Sequence, residues 1–281
     1  MAVQDYIRSR FFPHIWCAGC GHGTVLNALL QAVERLGLDK SSTVMVSGIG
    51  CSSRMPGYVD FHSLHTLHGR ALAFATGLKM SKPELTVLAP MGDGDALAIG
   101  GNHFIHACRR NIDITAIVLN NRIYGMTGGQ FSPLSGQGIL ASTAPHGSID
   151  ANFDVVNLAV GAGATFVARG TTYHVLELQK LLEKSIRHKG FSVVEVLSPC
   201  PTHFGRKNRQ GDAVQMMEWL KDNTVKRRAQ AAETSETPDT PEAIQRGVFV
   251  DEQRPEYCEQ YARVVERTRG EREPRGVGTE A

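Results

Sequence analysis

Five apolar runs punctuate the chain, at residues 43–46, 85–90, 112–119, 164–168 and 191–197. Near-continuous apolar runs of this length are the pattern of strands buried on both faces, as in a parallel sheet. Between and around them lie stretches with helical spacing: residues 25–36, the small-residue segment 69–77, residues 154–159, and residues 173–188 with Leu176, Leu178, Leu181 and Leu182 apolar. Gly37 is placed to stop the first of these helices. Strands alternating with helices predict an α/β domain, a mostly parallel sheet with helices on both faces. Ligands of such sheets bind beyond the carboxyl ends of the strands. The unusual loops of this sequence fall there: Gly48-Ile-Gly-Cys-Ser52, Met91-Gly-Asp-Gly-Asp95, Asn120-Asn-Arg-Ile-Tyr-Gly125 and Ser198-Pro-Cys-Pro-Thr202. Residues 62–68 read as a His-rich loop, and residues 128–147 as a long Gly-, Ser- and Pro-rich loop of the kind that is functional or mobile.

The pattern changes near residue 205. Residues 205–281 carry half of the charged side chains of the 281-residue chain, with both signs mixed. Residues 229–241 are rich in Ala, Glu, Thr and Pro, a composition poor in buried contacts. The division expected is a ligand-binding domain over 1–204 and a polar C-terminal extension over 205–281 that wraps a partner or is partly disordered. Residues 1–12 read as a short arm.

A net charge of +2 gives no reason to expect nucleic acid or a membrane surface. No apolar run reaches spanning length and the start lacks a signal-peptide pattern, so a cytoplasmic protein is expected. Six cysteines are too few for a disulfide scaffold at this length, which favours a metal or redox role.

Two constellations carry chemistry. Asp93 and Asn121 end neighbouring strands, and an Asp and an Asn with nearby carbonyls make a hard oxygen site suited to Mg²⁺. The glycines beside Asp93 let backbone approach a phosphate, and a following helix start favours its charge. Asp-Gly alone is also a common turn. The spacing adds weight: 25 residues separate Gly94 from Asn120, enough for a helix and a returning strand. The second constellation is Cys17 and Cys20, a C-x-x-C, with Cys51 and Cys200 in strand-end loops. Four converging thiolates suit structural zinc or an iron–sulfur cluster. A redox pair plus two small buried residues is the other reading. Cys108 and Cys258 stand apart from this set.

Gly92-Asp-Gly94 followed by Asn120-Asn121 resembles the thiamine diphosphate motif, which implies that Asp93, Asn121 and the carbonyl of Ile123 hold Mg²⁺. Residues 13–208 as a whole resemble the thiamine-binding β subunit of the 2-oxoacid:ferredoxin oxidoreductases. The resemblance rests on Trp16-Cys-Ala-Gly-Cys-Gly-His-Gly23, Gly48-Ile-Gly-Cys-Ser52, His65-Thr-Leu-His-Gly-Arg-Ala71, Tyr124-Gly-Met-Thr-Gly-Gly-Gln130 and Ser198-Pro-Cys-Pro201. It implies one 4Fe–4S cluster on Cys17, Cys20, Cys51 and Cys200. It also implies cofactor contacts from Ile49, Gly50, Cys51, Ser52, His68, Gly92, Gly94, Asp95, Gly125 and Met126. His22, His62 and His65 are candidates for lining the same site.

The activity implied is coenzyme A-dependent oxidative decarboxylation of a 2-oxoacid, with electrons passed to ferredoxin, or the reverse carboxylation. The loop Thr127-Gly-Gly-Gln130 points to 2-oxoglutarate, giving succinyl-CoA; a pyruvate enzyme and a non-redox thiamine decarboxylase or synthase are the alternatives. The resemblance further implies an α subunit, in an αβ or α2β2 assembly, that supplies the activating Glu. No catalytic residue is therefore assigned within this chain.

Overall fold

The computed structural model describes residues 2–227 and 243–270. Its frame is one eight-stranded sheet. The strands are β1 (Thr43–Ser47), β2 (His62–His65), β3 (Thr86–Gly92), β4 (Thr115–Asn120), β5 (Phe166–Thr171), β6 (Ser192–Leu197), β7 (Thr224–Lys226) and β8 (Ile244–Asp251). Their spatial order is β2-β1-β3-β4-β6-β5-β8-β7, parallel throughout except where β8 runs antiparallel to β5. All five predicted apolar runs became strands of this sheet, each within a few residues.

The two faces divide the apolar residues by alternation, as the pleat requires. Val87, Ala89 and Met91 of β3 and Val118 of β4 pack on one face, with helices α2 (Ala71–Ser81), α4 (Gly101–Arg110) and α5 (Val155–Gly161). Leu88 of β3 and Ile117 and Leu119 of β4 pack on the other, with α1 (His22–Leu36) and α6 (Val175–Arg187). Gly37 ends α1 in the left-handed conformation (φ 61°), its N–H donating to Glu34 O and that of Leu38 to Val33 O. This is the glycine stop expected of it.

Three places depart from the sequence reading. Part of the His-rich loop is the edge strand β2, in parallel register with β1 from Val44↔His62 to Ser47↔His65. The helix expected after Gly94 is broken into α3 (Asp93–Leu97) and α4, the backbone leaving helical geometry at Ala98 (ψ −93°), and the Asp95 carbonyl packs against Gly100 where a side chain would sit. The polar stretch from residue 205 is also partly built into the sheet. It contributes α7 (Ala213–Asp222), β7, β8 and α8 (Tyr257–Gly270). Val248 of β8 packs into one core, and Phe249 and Val250 into the other. The Ala-, Glu-, Thr- and Pro-rich part of that stretch lies outside the described residues. Among the described residues no helix is long and apolar enough to cross a membrane.

Candidate functional site

Parallel register brings the strand-end loops together. Gly92 pairs with Leu119 and Asn120 with Leu197, so Asp93, Asn121 and Ser198 leave the sheet side by side. A cavity of about 90 Å³ lies at this edge. Its walls include Ile49, Gly50, Cys51, Ser52, His68, Gly92, Asp93, Gly94, Asp95, Asn121, Ile123, Gly125 and Met126. These are the residues expected to contact the cofactor, together with the three expected Mg²⁺ ligands. His22 also lines it, whereas His62 and His65 sit on β2 and do not. His65 instead lies with Nδ1 3.0 Å from Ser47 Oγ.

Asp93 is 3% exposed, and its hydrogen-bond donor is the neutral Ser132 hydroxyl, 2.6 Å from Oδ2. Burial pushes its carboxyl up to about 7, against the pull of Ser132 and local amides. A buried carboxylate left to such weak partners fits a cation site, since buried charges are paired or bind metals. Asn121 Oδ1 accepts from the Ile123 amide at 3.2 Å, folding the loop so that Ile123 is buried beside Asp93. The Ile123 carbonyl accepts no hydrogen bond among the described residues. An Asp, an Asn and an unspent carbonyl therefore fit Mg²⁺, and the buried, unpartnered Ser52 hydroxyl in the same wall fits a phosphate oxygen.

Tyr124 closes the cavity over Gly94, donating from its hydroxyl to the Gly94 carbonyl at 3.2 Å. A β-carbon on Gly94 would overlap the Tyr124 ring. Gly94→Ala is accordingly expected to destabilise the fold by about 1–3 kcal/mol through overpacking. Thermal unfolding checks this, and an unshifted midpoint would contradict the contact.

The cysteines converge next to the same loop. A β-carbon on Gly125 would stand 3.3 Å from Cys51 Sγ and 3.8 Å from Cys200 Sγ. Gly21 N donates to Pro199 O at 3.4 Å, tying the Cys17–Cys20 turn to the loop of Cys200. Trp16 Nε1 donates to Cys51 O at 2.7 Å and holds the third loop. Burial pushes the thiols of Cys20 and Cys51 up, to about 12 and about 11, and that of Cys200 up as well. In all six pairings of Cys17, Cys20, Cys51 and Cys200, one thiolate opposes ionisation of another. Cys20, Cys51 and Cys200 are thus hard to ionise unaided, and a metal would deprotonate such thiols as its ligands. Among the described residues no three His, Cys, Asp or Glu side chains close on a single-ion site. His22 Nδ1 lies 3.1 Å from Cys20 Sγ, and burial pushes its pKa down to about 4, so it stands there as a neutral imidazole. Cys108 is buried in α4 and Cys258 packs near the Lys79 carbonyl, both away from the set.

Three further residues take roles that the sequence did not show. Ser132, the donor to Asp93, lies in the 128–147 loop with Ser135 and Ser142, and Ser135 Oγ ties that loop to Arg122 O at 2.6 Å. Tyr124 was legible only as part of a motif. Asp95 turns Oδ1 to protein donors, while its Oδ2 is buried with no hydrogen-bond partner among the described residues. A larger cavity of about 520 Å³ lies on the far side of Asn120 and Asn121, walled by β5, β6, α7 and β8. It extends to Ala243, at the margin of the described residues, and contains none of the cysteine set. The expected cofactor contacts and Mg²⁺ ligands line the smaller cavity.

Residues 45–196 match the family model of the thiamine pyrophosphate enzyme, C-terminal TPP binding domain. The chain is 50% identical over 265 residues to the 2-oxoglutarate synthase subunit KorB of Methanothermobacter thermautotrophicus, covering 94% of this chain and 92% of that one. It is 48% identical to the subunit of the same name from Methanocaldococcus jannaschii, covering 95% and 98%. A solved 2-oxoglutarate:ferredoxin oxidoreductase from Magnetococcus marinus superposes with a TM-score of 0.86 at 33% identity, covering 95% of this chain and 91% of that one. The thiamine motif, the sheet that presents it and these likenesses agree, and the chain belongs to the thiamine pyrophosphate-dependent 2-oxoacid:ferredoxin oxidoreductases, as a β subunit of the KorB family.

Proposed function

We propose that this chain binds the diphosphate end of thiamine diphosphate through Mg²⁺ and carries one 4Fe–4S cluster, in an enzyme that oxidatively decarboxylates 2-oxoglutarate with coenzyme A and passes electrons to ferredoxin. The convergence of four free thiols, from an exposed Cys17 to a buried Cys200, beside the loop that lines the diphosphate cavity supports this reading. The names of the relatives support the substrate, and the Magnetococcus marinus structure is described with 2-oxoglutarate, coenzyme A and succinyl-CoA bound. When bound, thiamine diphosphate supplies the carbanion chemistry for cleaving the bond beside the 2-oxo carbon, and the cluster supplies one-electron transfer.

The chain's own residues bind and position. Asp93, Asn121 and the Ile123 carbonyl hold the metal. His68, Ser52 and the backbone of Ile49, Gly50, Gly92, Gly94, Asp95, Gly125 and Met126 surround the diphosphate. Cys17, Cys20, Cys51 and Cys200 hold the cluster against Gly125, so that the two cofactors share one loop. A cavity of about 90 Å³ is well below the roughly 300 Å³ at which drug-sized ligand pockets begin, so it takes one end of the cofactor. The acids that line it are Asp93 and Asp95, with no Glu. We assign the remaining wall and the activating Glu to an α subunit, in an αβ or α2β2 complex.

Co-expression with that subunit tests the proposal. Reduction of ferredoxin should require coenzyme A and favour 2-oxoglutarate over pyruvate by at least about tenfold in kcat/KM, about 1.4 kcal/mol of discrimination. Preference for pyruvate would reassign the substrate. Carbon dioxide release with no electrons delivered to the acceptor would place the chain among the non-redox thiamine enzymes.

A further inference from the structure

Asp95 is 2% exposed and sits in the first turn of α3, two residues from Asp93. One of its oxygens does three things at once. Oδ1 accepts from His68 Nδ1 at 2.6 Å, from the Gly69 amide at 2.7 Å and from the Ile49 amide at 3.3 Å. These donors belong to two separate loops, the one after β1 and the one before α2, and both wall the cavity through Ile49 and His68. The chain leaves room for the carboxylate: a β-carbon on Gly48 would overlap it. Hydrogen bonds to an ionised acceptor are shorter and roughly twice as strong as neutral ones, and the two shortest here have that character.

The consequence falls on His68. With Nδ1 spent on Asp95, Nε2 is the nitrogen left to act at the cavity. The ring is also held edge-on to Tyr124, with centroids 5.8 Å apart and planes at 78°. A histidine whose first nitrogen is hydrogen-bonded to a carboxylate has its tautomer and orientation set for whatever the second one meets. A bare carboxylate facing a diphosphate would repel it; here the charge is set behind a ring and two amides.

We propose that Asp95 is a positioning residue for the diphosphate: it does not bind the anion with its carboxylate but locks His68 and the Ile49 loop in the arrangement that does. This rests on the cavity being the thiamine diphosphate site. It gives the Asp95 side chain an indirect role beside the backbone contact assigned above, and it makes Asp95 and His68 a single functional unit.

The test is a double-mutant cycle on the co-expressed complex, with the thiamine diphosphate Kd read by calorimetry in excess Mg²⁺ after cofactor removal. Iron content and thermal midpoint are measured in parallel. Asp95→Asn and His68→Ala should each weaken binding by about ten- to a hundredfold, and the double variant should bind within about threefold of the weaker single one, because neither residue works without the other. Asp95→Ser, smaller than the native residue and free of steric load, should repeat the pattern and guards against misfolding of the first variant. Iron should stay at the wild-type level throughout. Wild-type affinity in Asp95→Asn, or a double variant whose loss is the product of the two single losses, would overturn the proposal. A wild-type complex that binds no thiamine diphosphate would overturn the cofactor reading and this one with it, which separates the two failures.

Discussion

Asp93→Ala will leave the co-expressed enzyme without retained thiamine diphosphate, while its iron content stays at the wild-type level. Asp93 is the anionic member of the oxygen set, and a hard divalent cation depends on such a carboxylate when its other ligands are a neutral amide and a carbonyl. Its loss removes the ion, and with it the charge that neutralises the diphosphate. The thiols are held independently, by the Trp16–Cys51 and Gly21–Pro199 hydrogen bonds. The measurement is cofactor and iron content of the purified complex, followed by titration with thiamine diphosphate and Mg²⁺. An affinity weakened by at least about a hundredfold, some 2.7 kcal/mol, is expected. Wild-type retention would show that Asp93 is not a ligand.

The second large effect lies behind the site. Arg169 of β5 and Glu195 of β6 face each other in register, with Nε 2.5 Å from Oε2. Glu195 is 2% exposed, and its other oxygen accepts from Asn120 Nδ2 at 2.7 Å. Arg169 Nη2 reaches Asp154 Oδ2 at 3.0 Å. Burial disfavours the Arg169 charge, but Glu195 and Asp154 more than restore it, so its pKa is raised. Arg169→Ala strands the Glu195 carboxylate in the interior. Breaking a buried pair from one side costs about 3–5 kcal/mol. At about 2–4 °C per kcal/mol for a domain of this size, the thermal midpoint should fall by roughly 6 °C or more. Because Asn120 precedes Asn121, cofactor affinity should fall as well. Arg169→Met combined with Glu195→Gln, which removes both charges, should recover much of the midpoint. A single variant with an unshifted midpoint would contradict the pairing.

The central sheet was legible because strands covered on both faces must be apolar throughout, and residues 85–90 and 191–197 are nearly so. The edges were not. β2 is an exposed edge strand of two His, a Ser and a Leu, which carries no apolar signal. β8 has Val248-Phe-Val250 between Gly247 and Asp251, and its place beside β5 depends on distant pairings, from Phe166↔Asp251 to Arg169↔Gly247. In the site, Asp93 and Asn121 could be found because a helix and a returning strand impose their spacing. The cysteines could be grouped because all four lie in loops at one sheet edge. Asp95 was read as a cofactor contact; its partners Ile49 and His68 lie 46 and 27 residues away, and only the folded loops bring them to one oxygen. Ser132 could not be distinguished from the other serines of its loop for the same reason.

The account stands or falls on whether the four thiols hold a redox cluster beside the thiamine site. The direct measurement is iron and acid-labile sulfide analysis with electron paramagnetic resonance on the anaerobic co-expressed complex, before and after addition of 2-oxoglutarate and coenzyme A, compared with a Cys200→Ser variant. About four irons per β subunit, lost in the variant, and a reduced-cluster signal that appears with substrate are expected. Zinc in place of iron, no bound metal, or a cluster that stays oxidised when both substrates are present would contradict it.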